Sequence, residues 1–221
     1  MPGASSAIHL KPAADLAERV LLPGDPHRAL AVAQALMEQP KMFNHHRGLW
    51  GYTGTGRDGE LLTVQATGIG GPSAAIVVEE LIALGARTFI RIGTCGALTD
   101  AHAIGDLLAV KTALALDGTS RALGADGGVA PDAGLAAAID APAVVAASVD
   151  LFYGDDEAPG AEVIEMECAT LFQVATLRGA RAAAVLGVTD LLARERQRIC
   201  AEHLEALGVQ LGEAAWVALT R

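Results

Sequence analysis

Twice before residue 90 a short apolar run halts at a knot of glycine and proline and gives way to a segment with helical spacing. Arg19-Val20-Leu21-Leu22 runs into Pro23-Gly24-Asp25-Pro26 and then a helical stretch over 27–38. Residues 61–66 run into Gly68-Ile69-Gly70-Gly71-Pro72 and a helical stretch from Ser73 to residue 84. Strand, tight loop and helix form the unit from which helix-covered parallel sheets are built. Further strand-like runs at 89–92, 104–110, 143–148 and 182–188 continue the pattern, with helical segments at 167–177 and 195–219, the last broken near Gly208. Residues 50–55 and 61–66 flank Arg57-Asp58-Gly59, a hairpin turn because Asp-Gly tolerates positive φ. The alternation predicts one α/β domain over residues 1–221, with a mostly parallel sheet and a site along the carboxyl ends of its strands.

Composition narrows the function classes. The chain is 52% hydrophobic but only 4% aromatic, so Ala, Val, Leu and Ile must build the core. Sixteen basic against 26 acidic residues give a formal charge of −10, which argues against nucleic acid or a membrane surface as partner. No apolar stretch reaches the roughly 18 residues of a membrane span, and the amino terminus lacks a signal-peptide pattern, so the expected location is cytoplasmic. Cys95, Cys168 and Cys200 are widely spaced without a CxxC, which predicts neither a disulfide framework nor a metal site. Gly54-Thr55-Gly56-Arg57-Asp58-Gly59 fits GxGxxG in form, yet strand follows strand there, and the hairpin reading prevails. Phosphate-loop, HExxH and GxSxG patterns are missing from the sequence.

Five features remain that composition does not explain. In Ile90-Arg91-Ile92-Gly93-Thr94 a guanidinium sits inside an apolar run, where it costs several kcal/mol unless an anion or a carboxylate pairs with it. Pro23-Gly24-Asp25-Pro26-His27-Arg28 sets a glycine amide and an arginine at a helix start, which suits a phosphate or is simply a proline-rich turn. Glu165-Met166-Glu167 leads into a helix and offers a carboxylate to a sugar diol or merely to the helix macrodipole. Asp190 ends an apolar strand, as a desolvated acid or as a helix cap. Arg47, after Asn44-His45-His46, is either a third basic contact or a surface residue.

Together these segments resemble the nucleoside phosphorylase family that holds the bacterial hexameric purine nucleoside phosphorylases and the uridine phosphorylases. The resemblance rests on Leu22-Pro23-Gly24-Asp25-Pro26, Thr67-Gly68-Ile69-Gly70-Gly71-Pro72-Ser73, Arg91-Ile92-Gly93-Thr94-Cys95-Gly96-Ala97 and Glu165-Met166-Glu167, in this order over most of the chain. It implies a three-layer αβα fold around a mixed, partly barrel-like sheet, and a homo-oligomer with a dimer as the minimum active unit, up to a hexamer. It further implies that Gly24, Arg28, Arg91 and Thr94 bind phosphate, with Arg47 supplied by the neighbouring subunit. Glu167 would hold the ribose 2′ and 3′ hydroxyls, Met166 would pack beneath the sugar, and His9 would reach the 5′ hydroxyl across the dimer interface. Phe152 would stack on the base, with Cys95, Gly96 and Glu165 lining its pocket. Asp190, at the end of Val-Thr-Asp, would protonate the leaving purine at N7 with Arg196 of Glu195-Arg196-Gln197 as its partner.

The implied reaction is phosphate-dependent cleavage of a purine nucleoside to free base and ribose 1-phosphate, with inorganic phosphate as co-substrate, no cofactor and no metal. Uridine phosphorylase is the nearest alternative, although Gly154-Asp155-Asp156-Glu157 follows Phe152-Tyr153 where uridine enzymes carry a Gln and an Arg. A non-catalytic nucleoside- or nucleotide-binding member is the second. The loop after Asp190 is shorter than in the purine enzymes, the segment 120–142 is shortened, and Gly48 stands where some uridine enzymes place an acidic potassium ligand.

Overall fold

The computed structural model describes residues 7–154, 158–193 and 196–221. Along these residues the chain forms β1 (Arg19–Pro23), α1 (Pro26–Leu36), β2 (Met37–Asn44), β3 (Gly51–Gly56), β4 (Leu61–Gln65), α2 (Gly71–Leu84), β5 (Thr88–Ala97) and β6 (Leu107–Ala115). There follow α3 (Gly118–Ala122), β7 (Gly128–Val129), α4 (Ala133–Ala138), β8 (Ala143–Ser148), β9 (Val163–Glu165), α5 (Cys168–Arg178), β10 (Arg181–Leu191), β11 (Gln197–Arg198) and α6 (Ala201–Leu219).

Two-sided burial explains why the central strands read as nearly continuous apolar runs. On β5, Phe89 joins Val77, Val78 and Leu81 of α2 and Leu171 and Phe172 of α5. Its neighbours Ile90 and Ile92 face the other way, into Val32 and Leu36 of α1 and Leu211 and Ala215 of α6. The sheet therefore lies between two helical layers.

The sheet is mixed rather than mostly parallel, a correction to the expectation from alternation alone. β1 runs parallel to β4 and β5, and β5 runs parallel to β10 along ten residue pairs from Thr88–Arg181 to Ala97–Leu191. β10 then pairs antiparallel with β6, β6 parallel with β8, β8 parallel with β9, and β9 antiparallel with β5. Five strands thus close a ring, which removes their exposed edges. β1, β4, β3 and β2 extend from β5 as an open limb. The fold is the three-layer αβα arrangement around a mixed, partly barrel-like sheet.

Several boundaries differ from the sequence reading. The helix expected over 27–38 stops at Leu36, and Met37 turns extended (φ −123°, ψ 148°) into β2. Pro40, which lacks an amide donor, is accommodated because β2 is the edge strand of the limb. The strand expected over 89–92 runs on through Gly93 to Ala97, because β10 pairs with it throughout. The strand expected from Ile104 begins at Leu107, and the hairpin at Gly59 (φ 84°) forms as expected. The carboxy-terminal helix expected over 195–219 starts at Ala201, Gln197 and Arg198 pair with β10 instead, and Glu195 lies outside the described residues.

Gly208 does not break α6. Its missing side chain admits Arg28, whose Cγ would lie 3.1 Å from a Cβ there, and at Gly212 a Cβ would come within 2.7 Å of Val32 Cγ1. These two glycines let α6 lie close against α1. Gly212→Ala is accordingly expected to lower stability in urea denaturation by about 1–3 kcal/mol through overpacking, outweighing a gain of about 1 kcal/mol in helix propensity. A stabilised variant would show that the α1–α6 spacing relaxes freely. Among the described residues no helix is long and apolar enough to cross a membrane.

Candidate active site

The loop after β1 is built to start a helix and to meet a second loop. The Asp25 carboxylate caps α1 by accepting from the His27 amide at 3.1 Å and the Arg28 amide at 3.3 Å, with Pro26 in the first turn. This fixes Arg28 one turn inside α1. Beside it, the Thr67 amide donates to Pro23 O at 2.9 Å and the Gly68 amide to Gly24 O at 3.1 Å, tying the loop after β4 to the loop after β1. A Cβ at Gly24 would stand 3.2 Å from Gly68 O, so glycine permits the approach.

Arg28 threads past Gly208 and its Nη1 donates to Ile92 O at 3.3 Å. Burial, and then the neighbouring Arg91 guanidinium, push its pKa below the ordinary arginine value. Two neighbouring guanidiniums favour an anion between them.

Arg91 is 5% exposed. Its Nη2 donates to Glu167 Oε2, its Nε lies 3.4 Å from Glu165 Oε2, and its Nη1 finds no hydrogen-bond acceptor among the described residues. Burial opposes its charge, and the carboxylates of Glu167 and Glu165 more than restore it, so its pKa lies above the usual arginine value. An internal acid therefore neutralises one end of this arginine, and the Nη1 donors at the other end have no partner among the described residues.

Glu167 is pushed above the ordinary carboxylate range by burial, against the pull of Arg91. Its Oε1 accepts from the Gly70 amide at 2.6 Å, which joins the loop after β4 to the start of α5. Glu165 is differently employed. It accepts from the Glu167 amide at 2.8 Å, from the Cys168 amide at 3.0 Å and from Ser148 Oγ, while Ser148 Oγ accepts from the Ala169 amide at 2.9 Å. The side chain expected to line the base pocket instead holds the first turn of α5. Met166 lies between the two acids and is half-buried.

A second group gathers at the end of β10. The pairing of β10 with β5 shifts between Val188 and Asp190, an irregularity that sets Asp190 opposite Gly96. A Cβ on Gly96 would press within 2.6 Å of Leu192 Cδ1. Asp190 is 6% exposed; its Oδ1 accepts from Arg196 Nε at 3.1 Å and Nη2 at 2.9 Å, and its Oδ2 from Thr189 Oγ1 at 3.0 Å. It pairs with an arginine and does not cap a helix. The Arg196 guanidinium lies 5.5 Å from the centroid of the half-exposed Phe152 ring. Cys95 stands between the groups on β5, its thiol pushed far up by burial and by the nearby Glu165, which makes it unreactive. Thr94, half-buried, pairs with Gly187 of β10.

Two expected site residues lie apart. Arg47 is exposed on the turn between β2 and β3 at φ 58° and makes no hydrogen bond or ion pair among the described residues. His9 is held by Glu80 of α2, which accepts from His9 Nδ1 at 2.7 Å and from the amides of Ile8, His9 and Leu10 at 2.8–3.0 Å. Sequence reasoning missed Ser148, Glu80 and the Gly70 amide. No local pattern marks them, because each acts on a partner far along the chain.

A sequence profile of the Phosphorylase superfamily matches residues 18–214. The chain belongs to this superfamily. Among curated relatives it is 34% identical over 216 residues to the purine nucleoside phosphorylase DeoD-type of Geobacillus kaustophilus, covering 86% of this chain and 91% of that one. It is 36% identical over 196 residues to the DeoD-type enzyme of Oceanobacillus iheyensis (80% and 83% covered), and 38% identical over 202 residues to that of a Jannaschia species (82% and 85%). The matched span of this superfamily member runs from just before β1 into α6 and so contains both groups of site residues, with His9 preceding it.

Proposed function

We propose that this superfamily member cleaves the N-glycosidic bond of purine nucleosides with inorganic phosphate, yielding the free base and ribose 1-phosphate. The observation that carries the reading is Arg91, a buried guanidinium with unpartnered donors at one end and a diol-competent carboxylate, Glu167, at the other. An oxyanion site thereby adjoins a sugar site, and all the relatives named above are purine nucleoside phosphorylases.

In this reading Gly24, Arg28, Arg91 and Thr94 hold phosphate, with Arg47 from a neighbouring subunit. Glu167 accepts from the ribose 2′ and 3′ hydroxyls, Met166 packs under the sugar, and His9 of a neighbouring subunit meets the 5′ hydroxyl. The positions of Arg47 and His9 support an oligomer with a dimer as its smallest active unit, since neither bonds to Arg28, Arg91 or Glu167 within the chain. Phe152, Cys95 and Gly96 border the base. A phosphate oxygen forms a bond to the anomeric carbon as the carbon–nitrogen bond breaks. The electron pair of that bond passes to the base, and Asp190, entering the reaction as the protonated carboxyl, gives its proton to N7, so the purine leaves neutral and a carboxylate paired with Arg196 remains. Arg196 holds the Asp190 carboxyl toward the base. Phosphate is the co-substrate, and this chemistry calls on no other cofactor.

The test is incubation with inosine, adenosine, guanosine and uridine, each with and without phosphate, followed by chromatographic separation of free bases. Purine release that requires phosphate is expected. Release without phosphate, or from uridine alone, would overturn the reading.

A further inference from the structure

Two adjacent acids on α2 are employed differently. Glu79 meets the exposed Arg178 at 2.7 Å as a surface ion pair. Glu80 has no lysine or arginine within ion-pair distance among the described residues, and its hydrogen bonds go to the segment 8–10. Its Oε1 accepts from the Ile8 and His9 amides, each at 3.0 Å, and its Oε2 from the Leu10 amide at 2.8 Å. Three amides tie the segment down without the ring, yet His9 Nδ1 also stands 2.7 Å from Oε1. We propose that Glu80 is the positioning residue for the 5′ end of the nucleoside: it holds the His9 ring with its proton on Nδ1, so that Nε2 meets the 5′-hydroxyl, and thereby selects nucleosides that carry this hydroxyl over 5′-deoxy and 5′-thioether nucleosides. The inference rests on the reading of His9 as the ligand of that hydroxyl in a neighbouring subunit.

The chemistry of the pair fixes the proton. Burial raises the pKa of Glu80, and the Leu10 amide, the His9 ring and the amides of His9 and Ile8 more than reverse that rise, so the carboxyl lies below its ordinary range. An ionised carboxylate only accepts, and His9 Nδ1 must therefore donate. A neutral imidazole carries one proton; with that proton on Nδ1, Nε2 is a bare acceptor. Nε2 has no hydrogen-bond partner among the described residues. An acceptor held in place suits a ligand that can donate. A hydroxyl does so, whereas a methyl group or a thioether sulfur offers no proton.

The helix also keeps His9 away from the sugar site of its own chain. The Gly70 amide, just before α2, bonds Glu167. Glu80 lies ten residues further on, about 15 Å along the helix axis. His9 is thus anchored beyond the reach of a ribose seated on its own Glu167, in a position to serve a neighbour. One helix carries both the Gly70 contact to the sugar carboxylate and the anchor of the 5′ ligand.

The experiment compares kcat/KM for inosine with kcat/KM for 5′-deoxyinosine, both with phosphate, in wild type, Glu80→Gln, His9→Ala and the double variant. Wild type should favour inosine by roughly 3–100-fold, the range from a neutral to a charge-assisted hydrogen bond. In Glu80→Gln, whose amide donates as well as accepts and so no longer dictates the tautomer, this preference should fall toward one, with the loss falling on inosine. In the His9→Ala background Glu80→Gln should leave the preference where His9→Ala alone puts it. Nitrogen-15 NMR of the wild-type imidazoles, with His9 assigned by its absence in His9→Ala, should show the neutral His9 ring protonated at Nδ1.

Equal use of the two substrates by wild type overturns the selection while leaving phosphorolysis intact. An undiminished preference in Glu80→Gln, or parallel losses on both substrates that add to those of His9→Ala, overturns the role of Glu80. A wild-type protein that cleaves neither substrate instead overturns the functional reading beneath it. If Glu80→Gln fails to fold, the wild-type NMR decides: a neutral His9 ring with its proton on Nε2 overturns the proposal.

Discussion

Asp190→Asn is expected to cut purine nucleoside turnover by about 10²–10⁴-fold, the usual weight of a positioned general acid, while nucleoside affinity changes little. The amide keeps the shape of the carboxyl and an oxygen that can accept from Arg196, now at 2.9 and 3.1 Å from Oδ1, so the local packing is preserved. What it loses is an acidic proton for N7. The measurement is kcat for inosine phosphorolysis beside the dissociation constant of a C-nucleoside. An N7-methylated purine nucleoside, which already carries positive charge on the leaving base, sharpens the test. It has no use for the proton, and its turnover should survive the substitution. Wild-type turnover of inosine by the variant would reject Asp190 as the acid.

Arg91→Met is expected to abolish phosphate-dependent activity and to destabilise the fold by about 3–5 kcal/mol, because it strands two buried carboxylates. Glu165 and Glu167 are each 5% exposed, and Arg91 is the cation that both face. Adding Glu167→Gln to Arg91→Met removes one stranded charge and should recover part of the stability without recovering activity. Urea denaturation of the single and double variants separates the two effects. The pH dependence has a defined sign. Burial raises the Glu167 pKa, and the pull of Arg91 limits that rise; without Arg91 the protonated form is favoured further in the folded state. A carboxyl whose folded pKa is raised contributes stability below its unfolded pKa and loses it as pH climbs through the folded value. The deficit of Arg91→Met should therefore shrink as pH falls toward the carboxylate range. A single variant as stable as wild type at neutral pH would show that the pair carries no structural weight.

The contrast between Arg91 and Asp190 shows how far local sequence reaches. A guanidinium inside the apolar run Phe89-Ile90-Arg91-Ile92 announces on its own that something negative must come to it, since a strand that is apolar on both faces is covered on both. Asp190, by comparison, has two ordinary roles at a strand end, and only the shifted pairing with β5 and the arrival of Arg196 separate them. The tripeptide containing Arg196 was legible, but the shortened loop gave no warrant that its side chain would return to Asp190. Glu165 misled for the opposite reason. Its place beside Met166 and Glu167 gives it the look of a ligand, while its hydrogen-bonding capacity is consumed by Ser148 and two helix-start amides.

The sequence by itself determined the strand–loop–helix units, the helix that follows the Pro23–Pro26 loop and the need of Arg91 for an anion or a carboxylate, because these follow from side-chain period, turn chemistry and desolvation, all of which act over a few residues. Tertiary structure alone decided that β5 runs on through Gly93 to Ala97, that five strands close a ring, and that Glu167 is the acid facing Arg91. Strand pairing and charge pairing depend on distance through space. Across 76 residues of chain no local pattern fixes that distance, and the packing of two helical layers on the sheet does.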